Sequence, residues 1–367
     1  MVGVQAGEKT ICLNMIVKDE KEVIEKCLGS VKHLIDYWVI VDTGSSDGTQ
    51  EVIKKFLAGI PGELHERPWV NFAHNRNEAL SFAKNKGDYL LLMDADQILQ
   101  YSPNFSWPKL DKDFYFFTIR QLGAIDFKGI ALIDTRLPWK WEGVMHELLS
   151  CAEAKTNAVL ENVINVCNAV QGARATDPSH FLKDAAILEA ALKEDPSNSR
   201  HVFYLAQSYL NAGKYDLALQ NYIRRGNMSS PDVQETYWSL YMMGIIQELT
   251  DPEAALKSYT TAYQFRPTRA EPLYRMALIY RKKGNNLLTY LLLKYALTHP
   301  FPKDDMVVEQ IVYDYGIPSE FANSALLNGK TQEALDACNK LQSNPNLPQE
   351  TKTQITNWLC KIKIDDK

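Results

Sequence analysis

The chain has 367 residues, 46% of them hydrophobic and 23% charged, with a net charge of −5. That length suffices for two domains that each bury a core, while the acidic balance lacks the basic footprint that nucleic-acid binders need. Nowhere do about 18 apolar residues run together, and MVGVQAGEKT has no basic segment leading into an apolar one, so a soluble, cytoplasmic protein without a membrane span is expected. Its six cysteines (Cys12, Cys27, Cys151, Cys167, Cys338, Cys360) form no CxxC pair. This argues against a structural zinc site or a disulfide framework and predicts buried free thiols in a reducing compartment.

Residues 9–17, KTICLNMIV, read as an apolar strand, and KDEKEVIEKCLGSVKHL follows at helical spacing through Val23, Ile24, Cys27, Leu28, Val31 and Leu34. YWVIVDTGSSDGTQEVIKKFL gives a second strand ending at Asp42, a Gly/Ser turn, and a helix from near Asp47. A third unit has a strand near Leu64, the segment RPWVNFAHNRNEALSFAKNKG, and a helix built on Ala79, Leu80, Phe82 and Ala83. The fourth strand lies in GDYLLLMDADQIL. Its apolar run does not alternate, which suits a strand covered on both faces. Three βα units feeding a fourth strand predict right-handed crossovers and a parallel sheet with its loops on one edge, where open α/β sheets bind ligands.

Asp42, Arg76, Asp94 and Asp96 are therefore expected together at that edge. A carboxylate there can accept a base N–H or ribose hydroxyls, a guanidinium can pair with phosphate, and hard oxygen ligands can hold a divalent cation on a diphosphate. Asp42 and Asp47 also suit turn and helix-cap roles, and Arg76 alone reads as readily as a solvated helix residue. Further on, FYFFTIRQL and GIALIDTRL read as an antiparallel strand pair, followed by WKWEGVMHELL. His146 beside Glu147 lacks the HExxH spacing of a zinc protease.

KDE after the first strand, VDTGSSDGT after the second, WVNFAHNRNEAL before the third helix and DAD after the fourth strand resemble, in this order and spacing, a family-2 glycosyltransferase with the GT-A fold. The resemblance covers roughly residues 10–150. It implies a metal-dependent, inverting transfer from a nucleotide-sugar, with a UDP-sugar as the donor. Lys18, Glu20, Asp42, Arg76 and Asp94 would bind the donor, Asp42 at the base and Asp94 on the ribose side. Asp96 and His146, the latter from the WxGxxHE element, would hold Mn2+ or Mg2+. Glu147 would be the catalytic base, with Glu142 its rival. If His146 turns to the metal, Glu147 reaches the acceptor only where the backbone leaves the strand, so a break is predicted there. Three positions depart from the family pattern: Asp19 stands where Asn is usual, Ala73 where Gly is, and Gln97 where Glu is.

From about His180 the pattern is helical throughout. Prolines 196, 231, 267 and 300 close successive helix pairs at 33- to 36-residue intervals, near the ~34-residue tetratricopeptide period. Ala206, Ala218, Ala254, Ala262 and Ala277 are expected at close helix contacts, IPSEFANSALLNGKTQEALDACNKL as a degenerate further pair, and PQETKTQITNWLCKI as a capping helix. The expected fold class is thus an α/β GT-A domain (Rossmann-like, mostly parallel sheet) over residues 1–172, followed by an all-α tetratricopeptide-like solenoid over 173–367. Between them, Gly172-Ala173-Arg174 matches an element that related glycosyltransferases with a repeat tail place there. That match implies a second cation reaching the diphosphate, against the plain reading of a linker arginine.

A solenoid offers a surface to a protein or peptide acceptor, or to a second copy of the chain. Two rival functions differ in kind. A nucleotidyltransferase would want a Gly-rich phosphate loop after Val17, and none follows; a binding scaffold with an inactive first domain is disfavoured by the joint presence of Asp94, Asp96, His146 and Glu147.

Overall fold

A computed structural model describes residues 9–121, 127–167, 177, 179–230, 232–304, 307–344 and 347–365. The chain divides into two units, Met1–Pro196 and Ser197–Lys367. The first begins with the alternation read from the sequence: β1 (Ile11–Val17), α1 (Lys21–Val31), β2 (Tyr37–Asp42), α2 (Thr49–Phe56), β3 (Gly62–Glu66), α3 (Phe72–Ala83) and β4 (Tyr89–Leu92). β1, β2, β3 and β4 pair in parallel, in the order β3-β2-β1-β4. Both faces are covered. Leu13, Met15, Ile40 and Leu91 pack with Ile24, Leu28 and Ile53 from α1 and α2, whereas Cys12, Val39, Leu90 and Leu92 pack with Ala83 and Leu80 from α3. That two-sided burial explains the unbroken apolar run before the two aspartates.

The sheet continues with β5 (Gln97–Tyr101), β6 (Phe114–Gln121), β7 (Phe127–Asp134) and β10 (Asn157–Cys167), giving the eight-strand order β3-β2-β1-β4-β7-β6-β10-β5; β8 (Lys140–Glu142) and β9 (Leu148–Ser150) form a separate small pair. β6 and β7 are the expected antiparallel hairpin. The parallel pairing of β10 with β6 and the position of β5 are new. Only Met93–Asp96 joins β4 to β5 although three strands stand between them. In a flat sheet β4 and β5 would lie ~19 Å apart, beyond the ~18 Å that so short a link spans when fully extended. The sheet therefore curls, and β5 packs against α1, with Leu99 N donating to Ser30 Oγ and Tyr101 Oη to Ser30 O. α4 (His180–Glu194) closes this unit. The division thus falls at Pro196, beyond the expected 172/173 boundary, which lies outside the described residues.

The second unit is a run of antiparallel helix pairs, each packed on the next: α5 (Ser199–Asn211) with α6 (Tyr215–Gly226), α7 (Val233–Gln247) with α8 (Pro252–Phe265), α9 (Glu271–Lys282) with α10 (Asn286–Ala296), and α11 (Ile317–Leu327) with α12 (Thr331–Gln342), followed by α13 (Gln349–Asp365). A π-helical turn, Val312–Gly316, leads into α11. Gly213, Gly284 and Gly329 sit at the same place in three of the turns that join the two helices of a pair, at φ 69°, 73° and 66°. A left-handed backbone, not lack of room, calls for glycine there. Ala206, Ala218, Ala262 and Ala277 are buried as expected; Ala254 is half-buried and Ala255 takes its place, because Ala255, seven residues or two turns before Ala262, shares its face of α8. Cys12, Cys27 and Cys338 are the buried thiols expected, while Cys151 and Cys167 are half-buried and Cys360 is exposed.

Candidate active site

The carboxyl ends of β1 and β2 are laced together by short polar side chains. Asp42, fully buried, accepts through Oδ1 from the amides of Gly44 and Ser45, at 2.8 Å each. Its Oδ2 is buried and has no hydrogen-bond partner among the described residues. A buried acceptor left unmade costs on the order of 1 to 3 kcal/mol, so this oxygen is poised for an incoming donor. Asp19 adopts φ 54°, a region that Asp and Asn tolerate, and its Oδ1 accepts from the Ser46 amide at 2.7 Å. An aspartate therefore serves here as a loop tie, where the family usually has Asn. Asp47 accepts from the amides of Lys21 and Thr49, capping chemistry that joins α1 to α2. Glu20 lies at the start of α1, its amide donating to Thr49 Oγ1 at 2.9 Å, and Lys18 is exposed at the same edge.

The segment around α3 owes its motif to three amides. Asn71 caps the helix, accepting from His74 N. Asn75, fully buried, accepts from Val70 N and donates to Pro68 O, holding the entry loop. Asn77 makes a reciprocal pair with the backbone of Trp141 on β8, 2.9 Å in each direction. Between Asn75 and Asn77, Arg76 points inward beneath Trp141, whose ring is 5.0 Å from the guanidinium carbon. Nη2 of Arg76 donates to Asp94 Oδ1 at 2.7 Å, and Nε donates to Glu147 Oε1 at 2.6 Å. Burial opposes the arginine's charge, but Asp94 and Glu147 outweigh it and hold the guanidinium protonated. The solvated-helix alternative for Arg76 is thereby overturned.

Beyond β4, Asp94 has both oxygens engaged, Oδ1 by Arg76 and Oδ2 by the side-chain amide of Gln97 at 3.2 Å. Asp96 differs: no ion pair to it is found among the described residues. Burial, then the Asp94 charge, raises its carboxyl above the usual range. An ionised Asp96 is relieved by a cation, and an acidic pair offering only hard oxygens suits Mg2+ or Mn2+. Cys167, opposite Gln97 in the β10–β5 register, is pushed up to about 12 by burial and by Asp96 and Asp94, and so remains a neutral thiol.

The predicted backbone break lies between β8 and β9. Residues 143–146 form bends, with Gly143 at φ 100° and His146 at φ 50°, so the strand alternation that would have opposed His146 to Glu147 is interrupted. Glu147 turns in to Arg76, with its side chain 10% exposed, whereas His146 is exposed. Among the described residues no three His, Cys, Asp or Glu side chains gather into a cation cage. A cation at Asp96 would draw the rest of its shell from ligand oxygens, water and any further side chain that moves to it. Glu142 is exposed and pairs with Lys140. Arg174 lies outside the described residues. A separate cavity of about 500 Å³, lined in part by Ser102, Phe105, Glu161 and Asn162, lies past the far end of β5, away from the aspartates. Sequence reasoning missed Gln97 and Asn165 as members of this site; the only signal was the departure from Glu at 97.

A curled, mostly parallel sheet with helices on both faces and its polar side chains gathered at the strand ends is a GT-A-like α/β domain, followed here by a tetratricopeptide-like helical array. Residues 12–110 match the family model described as Glycosyl transferase family 2, and that stretch is a family-2 glycosyltransferase domain. The chain is 23% identical over 209 residues to the SPbeta prophage-derived glycosyltransferase SunS of Bacillus subtilis, covering 54% of this chain and 49% of SunS. It is 36% identical over 98 residues to a TPR repeat-containing protein of Synechococcus elongatus, covering 27% and 23%, and 31% identical over 91 residues to an uncharacterized glycosyltransferase of Rickettsia bellii, covering 25% and 29%. The chain thus spans half or less of the length of the curated relatives it matches. Among solved structures, that of MamA aligns with 48% of this chain and 92% of MamA at 16% identity and a TM-score of 0.37. No helix among the described residues is long and apolar enough to cross a membrane.

Proposed function

We propose that the protein transfers a sugar, with inversion, from a UDP-sugar to a hydroxyl-bearing acceptor, with a divalent cation (Mn2+ or Mg2+) on the diphosphate. The observation that carries the reading is Asp42: a fully buried carboxylate at the end of β2 with one oxygen spent on the loop amides and the other unmatched. An ionised carboxylate only accepts hydrogen bonds, so its complement is a base that presents an N–H. Asp96 supplies an oxygen to the cation, which would neutralise charge on the diphosphate. Arg76 adds a fixed positive charge nearby, where charge develops as the bond from the sugar's anomeric carbon to the diphosphate oxygen breaks. Glu147, whose Oε1 is held by Arg76, keeps Oε2 for the acceptor's proton. The freed acceptor oxygen attacks the anomeric carbon from the face opposite the diphosphate, and the bonding pair leaves with UDP.

Lys18, Glu20 and Asp94 complete the donor side of the proposal, with His146 as a further cation ligand. The helical unit is the proposed site for a protein or peptide acceptor or for a second copy of the chain, since repeat arrays bind extended partners. Hydrolysis of a panel of nucleotide sugars with and without Mn2+ tests the reading, because water replaces the unidentified acceptor. Metal-stimulated release of UDP is the expected outcome; no release from any nucleotide sugar counts against it.

A further inference from the structure

We propose that Gln97 is a positioning residue: its side-chain amide, held from behind by Asn165, fixes Asp94 so that Arg76 and Glu147 stand in register for transfer. The proposal rests on the glycosyl-transfer reading above and adds a residue where this chain departs from the family pattern.

The geometry determines which way the amide points. Oε1 of Gln97 accepts from the Asp94 amide at 3.1 Å and from Asn165 Nδ2 at 2.7 Å, while Nε2 donates to Asp94 Oδ2 at 3.2 Å. A flipped amide would set its N–H groups against two donors and its oxygen against a carboxylate. Asn165 itself is buried on β10, 1% exposed, so the anchor behind Gln97 belongs to the sheet rather than to a loop. The Asp94 side chain, by contrast, is 41% exposed and depends on its polar contacts for its orientation. Those contacts are Gln97 on one oxygen and Arg76 on the other.

The result is a continuous chain of contacts, Asn165 to Gln97 to Asp94 to Arg76 to Glu147, running from the sheet interior to the proposed base. The charged and titratable groups facing it are Asp94 and Asp96 from their own loop, Arg76 from α3, Glu147 from the β8–β9 segment, Cys167 from β10, and Cys27 from α1, whose Sγ donates to Asp94 O at 3.4 Å. A glutamate at 97 would match the amide in size but remove the donor to Asp94 Oδ2 and place a third carboxylate beside Asp94 and Asp96. Arg76 would then be drawn from Glu147.

The test uses the full-length protein with Gln97→Glu, Gln97→Ala, Asn165→Ala and the Gln97→Ala/Asn165→Ala double variant. Metal-dependent hydrolysis of UDP-hexoses is measured alongside the Arg76 Nε–H resonance, assigned with Arg76→Lys. The expected result for Gln97→Glu is a kcat lower by roughly 10- to 100-fold, as for supporting residues around reactive groups, with KM for the donor within about threefold of wild type. The Nε–H signal, expected to exchange slowly in the wild type because Glu147 accepts from it at 2.6 Å, should be lost. The double variant should lose no more than Gln97→Ala alone, because both act through one contact. Wild-type kcat in Gln97→Glu overturns the proposal, as does a KM rise matching the kcat loss, which would make Gln97 a donor contact. If no nucleotide sugar is hydrolysed even by the wild type, the functional reading has failed, and the resonance alone then decides the positioning: loss in Gln97→Glu and Gln97→Ala supports it, persistence overturns it.

Discussion

Arg76 and Glu147, 71 residues apart in the chain, meet with Nε of the arginine donating to Oε1 of the glutamate at 2.6 Å. Their side chains are 15% and 10% exposed, so the pair joins α3 to the β8–β9 segment away from bulk water. Removing one partner of such a pair strands the other charge. Arg76→Ala should therefore destabilise the first unit by on the order of 3 kcal/mol, read from urea unfolding, and should weaken UDP binding in Mn2+. A fully stable variant that binds UDP as the wild type does would assign the arginine no part in either.

Asp42→Asn keeps an oxygen for the Gly44 and Ser45 amides but presents an NH2 group where the unmatched Oδ2 now lies. UDP affinity by calorimetry is expected to fall by roughly 10- to 100-fold, the equivalent of about 1 to 3 kcal/mol for an unpaired buried group. Stability without nucleotide should hold or rise, since the buried charge is gone. Unchanged affinity would remove Asp42 from the base pocket.

UDP titrated into wild type and Asp96→Ala, each in Mn2+ and in EDTA, examines the cation. A diphosphate facing ionised carboxylates without a cation is repelled, so the wild type in Mn2+ should bind most tightly and the other three combinations should converge. Equal affinity in all four would sink the metal assignment.

Glu147→Gln should leave donor binding nearly intact and lower the rate by roughly 10²- to 10⁴-fold, the usual contribution of a general base. Glu142→Gln, at an exposed residue on β8, should change little. The opposite pattern would move the base to Glu142 and leave Glu147 as the anchor of Arg76.

On β3, the Glu63 carboxyl is held down to about 2, first by a hydrogen bond from Lys86, against burial, with His65 and Tyr37 adding to it. A carboxylate whose folded value is depressed contributes stability above its unfolded value, and that contribution is lost as pH falls toward the folded one. Thermal unfolding of Glu63→Gln should therefore lie below wild type at pH 7, with the gap closing between about pH 4.5 and pH 2. A gap independent of pH would show that packing rather than charge is at stake.

Sequence periodicity sufficed for β1, β2 and β4 because those strands are buried on both faces, and for the helices because each shows one apolar stripe; β3, a half-buried edge strand, was legible only near Leu64. Periodicity was poor for β10, where Glu161, Asn162 and Asn165 interrupt the apolar pattern, and for β5, whose pairing depends on the curl of the whole sheet. Asp42, Arg76, Asp94 and Asp96 were legible as strand-end or helix-start residues. Gln97 was not, since nothing in a sequence tells which oxygen of Asp94 an amide five residues past the end of β4 will meet. The break at His146 could be argued only from adjacency, and its left-handed φ required coordinates.

The four-residue link between β4 and β5 makes the protein unequal in what it tolerates by way of added length. An extra residue between Met93 and Asp96 would slacken the tie that holds the far edge of the sheet against α1, and would shift both aspartates relative to Arg76. β6 and β7, by contrast, lie side by side in the sheet, so their pairing sets no such span. For anyone swapping segments, the short acidic link is a place where length itself sets the positions of the two aspartates.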